Sequence, residues 1–248
     1  MVGILSDVGN VRKINEDYCG YLEDEFKKFY VIADGMGGHN AGEVASKMAV
    51  EAVISYLNTN FHSYTDISKL LRESITHANM QIFEYAKSDE ALAGMGTTLT
   101  ACLIIDNNVY IVNVGDSCCF KVTENQILKV TKDHSLVQQL LDNGSITEEE
   151  ALFHPNKNVI TRCLGTFENV EADIFELSIQ GIKKIVLCSD GLTNEVRKEE
   201  IYEIVSRYDN QSSCNELVKL CKLRSGKDNI TVIVIEGECR DDWNNARE

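Results

Sequence analysis

Four apolar segments of the sequence each carry an aspartate beside a glycine or an asparagine near one end. They read FYVIADGMGG, YIVNVGDSCC, KIVLCSDGLT and GKDNITVIVI. If these segments are strands whose polar ends meet, Asp34, Asp116, Asp190 and Asp228 converge. Two unit charges about 4 Å apart repel by roughly 4 kcal/mol at an effective dielectric of about 20, so such carboxylates need cations beside them. Because oxygen ligands without His or Cys favour Mg²⁺ or Mn²⁺ over zinc, the pattern predicts a site for a hard divalent cation.

The composition is that of a folded globular domain. Hydrophobic residues make up 44% and charged residues 25% of the 248 positions, which is enough apolar material for a sizeable core. Neither a Pro/Gly/Ser-rich stretch nor a charge block divides the chain. We therefore expect one domain over residues 1–240, followed by a C-terminal tail at 241–248.

The charge balance excludes some classes of partner. With 39 acidic and 24 basic residues the net charge is -15, whereas binding to nucleic acid or to an anionic membrane needs clustered Lys and Arg. The start of the chain does not resemble a signal peptide, and no apolar run reaches the length of a membrane span. We therefore expect a cytoplasmic protein without membrane insertion and without a nucleic-acid partner.

The nine cysteines are best explained as free thiols. Their number is odd, no CxxC pair occurs, and Cys102 and Cys188 lie inside apolar runs, as expected in a reducing compartment. Adjacent Cys118 and Cys119 are predicted to be small buried hydrophobic residues, with a redox role as the alternative.

Hydrophobic periodicity predicts helices packed on antiparallel sheets. Spacing of three and four residues indicates helices at 40–57, 66–87, 195–208 and 214–223. Strand-like segments are TTLTACLII, NVYIVNV, CCFKVTE, QILKVT, KKIVLCS and NITVIVIEG, and the short connections between consecutive strands predict antiparallel pairing. So many strands favour an α+β fold in which two packed antiparallel sheets lie between outer helices, a four-layer α-β-β-α sandwich. The polar, helix-patterned segment 134–158 is expected to form a surface flap.

Two regions contain candidate residues for phosphate chemistry. An Asp-Gly pair alone most often marks a turn, but Asp34 and Asp190 each end a buried run and then enter a helix-start signal, and the carbonyl of Gly35 could bind a cation. In SDVGNVRKINED, Arg12 could hold a phosphate while Glu16 and Asp17 orient metal-bound waters. The alternative for this second region is a surface arginine beside an acidic turn.

Eight segments, in order along the chain, resemble the motifs of the metal-dependent type 2C protein phosphatases in their compact bacterial form. They span residues 6–236 and read SDVGNVRKINED, VIADGMGGHNAGEVAS, GMGTTLTA, VNVGDSCCF, VTKDHSLVQQL, HPNKNVITRCLG, VLCSDGLTNEV and SGKDNITVIVIE. The resemblance implies a central β-sandwich flanked by helices. It also implies a metal-dependent hydrolase that acts on phosphoserine and phosphothreonine in proteins.

The resemblance implies a role for each matching residue. Asp34 would bridge two Mn²⁺ or Mg²⁺ ions, Gly35 would give its carbonyl to one ion, and Asp190 and Asp228 would ligate the other. Asp116, together with Asp190, would hold a third and weaker ion. The further implied roles are binding of the substrate phosphate by Arg12, and contributions through water or directly by Glu16 and Asp17.

The implied reaction is direct attack on phosphorus by a water or hydroxide that bridges two ions, without a covalent enzyme intermediate. The implied partners are phosphorylated proteins, including a bacterial Ser/Thr kinase of eukaryotic type, and we expect the enzyme to act as a monomer. Two other classes stay open: a pseudo-phosphatase that only binds partners, and a phosphoesterase for small molecules. The Asp190→Asn variant distinguishes a pseudo-phosphatase from an enzyme, because a pure binding protein should behave as before. Relative turnover of phosphopeptides, nucleotides and sugar phosphates distinguishes a phosphoesterase for small molecules from a protein phosphatase.

The sequence departs from the family pattern at two positions. Where many eukaryotic members have a histidine after the Asp-Gly pair, this chain has Met36, so the general acid is His39, a metal-bound water or no side chain at all. The usual Gly-Asp-Ser-Arg motif ends here in Cys118, which removes a cation and predicts weaker control of the third site. Structural or surface roles are expected for four histidines, namely His62, His77, His134 and His154. Arg162 either reaches the rim of the site or pins the flap.

Overall fold

The structure is a computed structural model that describes residues 2–37 and 41–237. Its strands are β1 (Val2–Asp7), β2 (Asp17–Glu23), β3 (Lys28–Met36), β4 (Gly96–Thr97), β5 (Leu99–Ile105), β6 (Asn108–Val114), β7 (Cys118–Val122), β8 (Ile127–Lys129), β9 (Asp173–Ser178), β10 (Lys184–Cys188) and β11 (Ile230–Glu236). Its α-helices are α1 (Ala41–Asn60), α2 (Ile67–Ala86), α3 (Leu136–Asp142), α4 (Glu148–Leu152), α5 (Asp190–Thr193), α6 (Lys198–Arg207) and α7 (Asn210–Arg224). Short 3-10 helices follow α1 and precede β4.

The strands form two antiparallel sheets. One has the order β1-β11-β10-β7-β8 and the other has the order β2-β3-β5-β6-β9, with β4 paired to β3. Helices α1 and α2 pack on the outer face of the second sheet, and α6 and α7 cover the outer face of the first. This is the predicted α+β sandwich of four layers, and that prediction is confirmed.

Central strands bury both faces, which explains why their sequences are continuous apolar runs. In β3, Phe29 and Val31 point toward α1 and α2, whereas Tyr30 and Ile32 point into the space between the sheets. A strand that alternates between two cores needs apolar residues at every position. Asp34 continues the second series, so its side chain lies on the inter-sheet side at the end of the strand.

The main helices agree with the periodicity. The first predicted helix starts at residue 40, which lies outside the described residues, and α1 continues to Asn60. Helix α2 begins after Asp66, whose side chain accepts a hydrogen bond from the Lys69 amide. The stretches at 195–208 and 214–223 correspond to α6 and α7, and α7 starts earlier than predicted because Asp209 caps it.

Two strand predictions need correction. Three strands, β1, β2 and β9, were not predicted; each lies at the edge of its sheet, where half-exposed positions dilute the apolar pattern. The expectation that consecutive strands pair is wrong for β6 and β7. They lie in different sheets because the chain turns at Gly115, with φ of 111°.

Residues 134–158 contain two short helices, α3 and α4, in agreement with their helical pattern, and their role as a flap stays a prediction. The predicted tail at 241–248 lies outside the described residues. At the described positions all cysteines are free, and Cys118 and Cys119 are 2% and 0% exposed, as expected of small core residues. None of the described helices has both the length and the apolar character needed to cross a membrane.

Candidate metal centre

Five aspartates meet at one end of the β-sandwich. Asp34 ends β3, Asp190 begins α5 directly after β10, Asp228 precedes β11, Asp116 lies in the β6–β7 turn, and Asp17 starts β2. Partial burial and then the charges of the other four raise the pKa of Asp34 well above its ordinary value. The four strand-end aspartates are therefore near enough to influence one another electrostatically, as is Asp17, and their role as metal ligands stays a prediction.

Asp17 is the most buried member of the cluster. It is 5% exposed, and its Oδ2 accepts a hydrogen bond of 2.8 Å from the Ser189 hydroxyl. Burial and the charges of Asp190 and Asp228 raise its pKa to about 7, against the opposing effect of the Thr231 and Ser189 hydroxyls. The buried Oδ1 has no hydrogen-bond partner among the described residues.

Asp116 has a similar orphaned oxygen. Burial, followed by the charges of Asp190 and Asp133, raises the pKa of Asp116 to about 7. Its buried Oδ1 also lacks a hydrogen-bond partner in the described part of the chain. Buried polar atoms are normally paired, and an unpaired carboxylate oxygen in an all-oxygen cluster fits a divalent cation such as Mg²⁺ or Mn²⁺.

The aspartates are not arranged around one common point. Asp34 lowers the pKa of Asp190, whereas Asp228 lies 3.0 Å from Arg12. Over residues 2–37 and 41–237, no three His, Cys, Asp or Glu side chains are already closed around one position as ligands.

Main-chain segments approach closely around Gly35. Its amide donates to the carbonyl of Glu16 over 3.1 Å, and a Cβ at this position would lie 2.1 Å from the Gly42 carbonyl oxygen. Any larger residue would push apart β3, α1 and the segment before β2. Only glycine fits at this position, because backbone atoms of the neighbouring segments occupy the space that a side chain would need.

Arg12 lies at the rim of the cluster. Its Nη2 is 3.0 Å from Asp228 Oδ1, its Nη1 is 3.5 Å from Glu16 Oε2, and its side chain is 46% exposed. Burial lowers the pKa of Arg12, but the charges of Asp228 and Glu16 outweigh it and raise the pKa overall. Burial raises the pKa of Glu16, while Arg12 lowers it. A half-exposed guanidinium beside the acids can reach an incoming phosphate.

The predicted general acid cannot be placed. His39 lies outside the described residues, so its catalytic role remains a prediction. Met36, which stands where many family members have histidine, ends β3 opposite Gly96.

A lysine supplies positive charge near the position where the usual motif has arginine. Lys129 Nζ lies 2.7 Å from both carboxylate oxygens of Asp133, whose charge raises the pKa of Asp116. Cys118 Sγ lies 3.9 Å from Asp133 Oδ1, and Lys129 lowers the pKa of Asp116. Sequence reasoning missed Lys129, because its place beside Asp116 follows only from the pairing of β8 with β7.

Arg162 pins the base of the segment 134–158. It donates to Asp173 Oδ1 over 2.9 Å and to the Glu171 carbonyl over 3.2 Å. His134, 8% exposed, lies between this arginine and the turn that carries Asp116: its Nδ1 accepts from the Gly115 amide at 3.1 Å, and its Nε2 lies 3.2 Å from Asp173. The predicted structural role for His134 agrees with these contacts, and of the two roles left open for Arg162 they favour pinning.

One residue of the segment 134–158 reaches the aspartates through the side-chain amide of Asn194. Lys157 Nζ donates to Asn194 Oδ1 over 3.1 Å, and Asn194 Nδ2 donates to Asp190 Oδ2 over 3.0 Å. Lys157 also lowers the pKa of Asp190, which burial and Asp228 raise overall. Residues 134–158 are thus in electrostatic contact with the cluster.

Comparisons with known proteins agree with this geometry. The family described as Protein phosphatase 2C matches residues 10–223. A serine/threonine phosphatase stp of Listeria welshimeri is 40% identical over 235 residues, which are 93% of each chain.

Solved structures are similar over nearly the whole chain. The serine/threonine phosphatase Stp1 from Staphylococcus aureus has a TM-score of 0.87 at 34% identity, covering 96% of this chain and 95% of that one. The PstP catalytic domain, solved in complex with 2 manganese ions, has a TM-score of 0.83 at 33% identity, covering 95% and 97%. The resemblance in the sequence motifs is confirmed, and the chain belongs to the protein phosphatase 2C family.

Proposed function

We propose that the protein is a metal-dependent protein serine/threonine phosphatase, which hydrolyses phosphoserine and phosphothreonine esters on other proteins. The observation that carries this proposal is the cluster of Asp17, Asp34, Asp116 and Asp190 beside the half-exposed Arg12, because burial and neighbouring carboxylates raise the pKa of each of the four. Crowded carboxylates of this kind are costly unless cations bind there. Membership of the protein phosphatase 2C family places the activity among phosphoric ester hydrolases.

The proposed metal ligands are the residues that matched the family motifs. Asp34 and the Gly35 carbonyl, with Asp190 and Asp228, hold two Mn²⁺ or Mg²⁺ ions, and Asp116 with Asp190 holds a third. Glu16 and Asp17 act directly or through water. The ions, when bound, supply an acidified water as nucleophile and offset negative charge on the phosphoryl oxygens. Support comes from the orphaned oxygens of Asp17 and Asp116 and from the manganese-bound PstP relative.

Arg12 recognises the substrate phosphate. In the structure its guanidinium pairs with Asp228, and a phosphate dianion offers the same forked acceptor geometry with more charge. Its exposed half lets it contact the phosphate from solvent. Because the net charge of the chain is -15, attraction for an acidic phosphoprotein must come locally from this arginine and the bound cations.

Protonation of the leaving serine or threonine oxygen needs a donor other than Met36. Met36 cannot donate a proton. We propose His39 for this role, with water as the alternative.

Protein substrates would lie against exposed apolar residues of the Arg12 loop and of the segment 134–158. Val11, next to Arg12, is 65% exposed, and Phe153 and Val159 of the segment 134–158 are 87% and 45% exposed. We propose that this segment is the flap that selects substrates. The proposed partners are phosphorylated proteins, including a Ser/Thr kinase of eukaryotic type, for a monomeric enzyme acting in the cytoplasm.

Phosphate release from a phosphothreonine peptide tests the proposal. The purified protein is assayed with Mn²⁺, with EDTA, and as the Asp190→Asn variant, and nucleotides and sugar phosphates are compared at equal concentration. Release that needs Mn²⁺, is lost in the variant and favours the peptide supports the proposal. No release above the EDTA control, or better turnover of small phosphates, refutes it.

A further inference from the structure

Asn229 binds both ends of the loop that carries Arg12. Its Nδ2 donates to the carbonyls of Val8 and Ile14, each over 3.0 Å, and its Oδ1 accepts from the Glu16 amide over 2.8 Å. The side chain is buried, at 3% residue exposure. Both donor hydrogens and the carbonyl of one amide group are therefore used on one short segment.

This loop, residues 8–16, has no helix or strand of its own. Its middle is exposed, and Arg12 projects from it. Asn10 attaches the loop to α7 through its Nδ2, which donates to the carbonyls of Lys222 over 2.7 Å and Ser225 over 3.0 Å. Without regular secondary structure, such side-chain bonds to the backbone decide the conformation of a loop.

The same asparagine is connected to two of the aspartates. Its backbone amide donates to Oδ1 of the preceding Asp228 over 2.9 Å. A Cβ added at Gly191, the residue after Asp190, would lie 1.9 Å from the Asn229 carbonyl oxygen, so the two backbones are in direct contact. Asn229 therefore links the Arg12 loop to the start of α5 and to Asp228, which precedes β11.

We propose that Asn229 is a positioning residue that sets the place of Arg12 relative to Asp190 and Asp228. It acts through the backbone at residues 8, 14 and 16, without touching the phosphate itself. This inference rests on the proposed function of Arg12 in phosphate recognition. Small errors in the position of such a binding group lower rates strongly, because catalysis depends on orientation.

The chain offers a matched control in Asn79 on α2. This buried asparagine makes the same three kinds of bond: its Oδ1 accepts from the Gly165 amide over 2.9 Å, and its Nδ2 donates to the carbonyls of Phe167 over 3.0 Å and Glu168 over 2.9 Å. It fixes a different loop. Asn79→Ala and Asn229→Ala therefore remove equivalent bonds at different places.

A double-mutant cycle tests the positioning role. We expect Arg12→Ala alone to lower kcat/KM for a phosphopeptide by about 10- to 100-fold, the range for loss of a hydrogen bond to a charged group. In the Asn229→Ala protein the same change should cost less than about threefold, since residues that act together are not additive. In the Asn79→Ala protein it should keep its full cost. Equal costs in all three backgrounds would overturn the proposal.

Amide hydrogen exchange provides a second test that needs no catalytic activity. In the metal-free protein, Asn229→Ala should speed exchange at the Glu16 amide and leave the Gly165 amide unchanged, whereas Asn79→Ala should do the reverse. Unchanged exchange at the Glu16 amide refutes the positioning role of Asn229 even if the protein is an active phosphatase. Faster exchange at the Glu16 amide in a protein without phosphatase activity supports the hold of Asn229 on the loop and refutes only the proposed function.

If Asn229→Ala does not fold, Asn229→Ser, which keeps a small polar group, is used in both tests with the same expected and contrary results.

Discussion

Asp17 and Asp34 are directly opposed partners where β2 pairs with β3. Their backbones are fixed by the strand ladder, so the two carboxyl groups cannot separate by a local backbone shift. The charge of Asp17 raises the pKa of Asp34. The strand pairing therefore holds two carboxyl groups close together, and a bound cation would offset the repulsion between their charges.

The metal-free protein should lose stability as pH rises. The pKa of Asp17 is raised from 3.8 to about 7 in the folded state, so between these values the folded chain binds more protons than the unfolded chain, and stability falls with increasing pH. The melting temperature in EDTA should decrease by at least a few degrees from about pH 5 to about pH 8, since about 1 kcal/mol corresponds to about 2–4 °C in a chain of this size. Asp17→Asn should flatten this dependence. A melting temperature that is constant or rises with pH would contradict the charge crowding.

Asp34→Asn should abolish activity without destabilising the metal-free protein. The change removes one of several crowded like charges, and it also removes the proposed bridging ligand, which should lower turnover by at least about 100-fold. Phosphate release and thermal melts in EDTA measure the two effects. Asp24→Asn, in the turn between β2 and β3, serves as the charge-matched control for phosphate release and should keep its activity. A large loss of metal-free stability in Asp34→Asn would rule out this explanation.

Asp116→Ala should leave the two central ions in place and reduce turnover. Its carboxylate belongs to the side of the cluster near Asp133 and Lys129, away from the Arg12–Asp228 pair. Calorimetric Mn²⁺ titration should still show tight binding, while the weak, high-concentration phase of metal activation disappears. Kinetics that match wild type at every Mn²⁺ concentration would exclude a third-ion role.

Arg12→Lys should be defective although it keeps the charge. Lysine cannot make the forked contact that guanidinium makes with a phosphate, so we expect kcat/KM to fall by about tenfold, with a larger fall for Arg12→Ala. Lys13→Ala removes the neighbouring charge and should have little effect. Steady-state kinetics on one phosphopeptide compare the three variants. Equal losses for Lys13→Ala and Arg12→Lys would indicate a general charge effect instead of phosphate recognition.

The sequence predicted the parts of the fold whose pattern is local. The strands β3, β10 and β11 are buried on both faces and appear as continuous apolar runs, and α1 and α2 follow helical spacing. The strands β1, β2 and β9 escaped because sheet edges tolerate polar and half-exposed residues. The break between β6 and β7 depends on the turn at Gly115, and nothing in the lengths of the two strands indicates it.

The residues of the candidate site likewise divide into those predicted from local sequence pattern and those that depend on contacts between distant segments. Asp34, Asp116, Asp190 and Asp228 were predicted because each lies at the end of an apolar run. The support for Arg12 was not predictable from residue pattern, because the bonds of Asn229 join positions more than 200 residues apart in sequence. Lys129 likewise gained its place near Asp116 and Cys118 from the pairing of β8 with β7.

Anomalous diffraction at the manganese edge, from crystals grown in saturating Mn²⁺, tests the central claim most directly. We expect at least two manganese peaks inside the aspartate cluster, one shared by Asp34 with an oxygen of Asp190 or Asp228, at ligand distances of about 2 Å. Peaks that lie elsewhere, or carboxylates of Asp34, Asp190 and Asp228 that share no ion, would contradict the claim that these strand ends form a metal site.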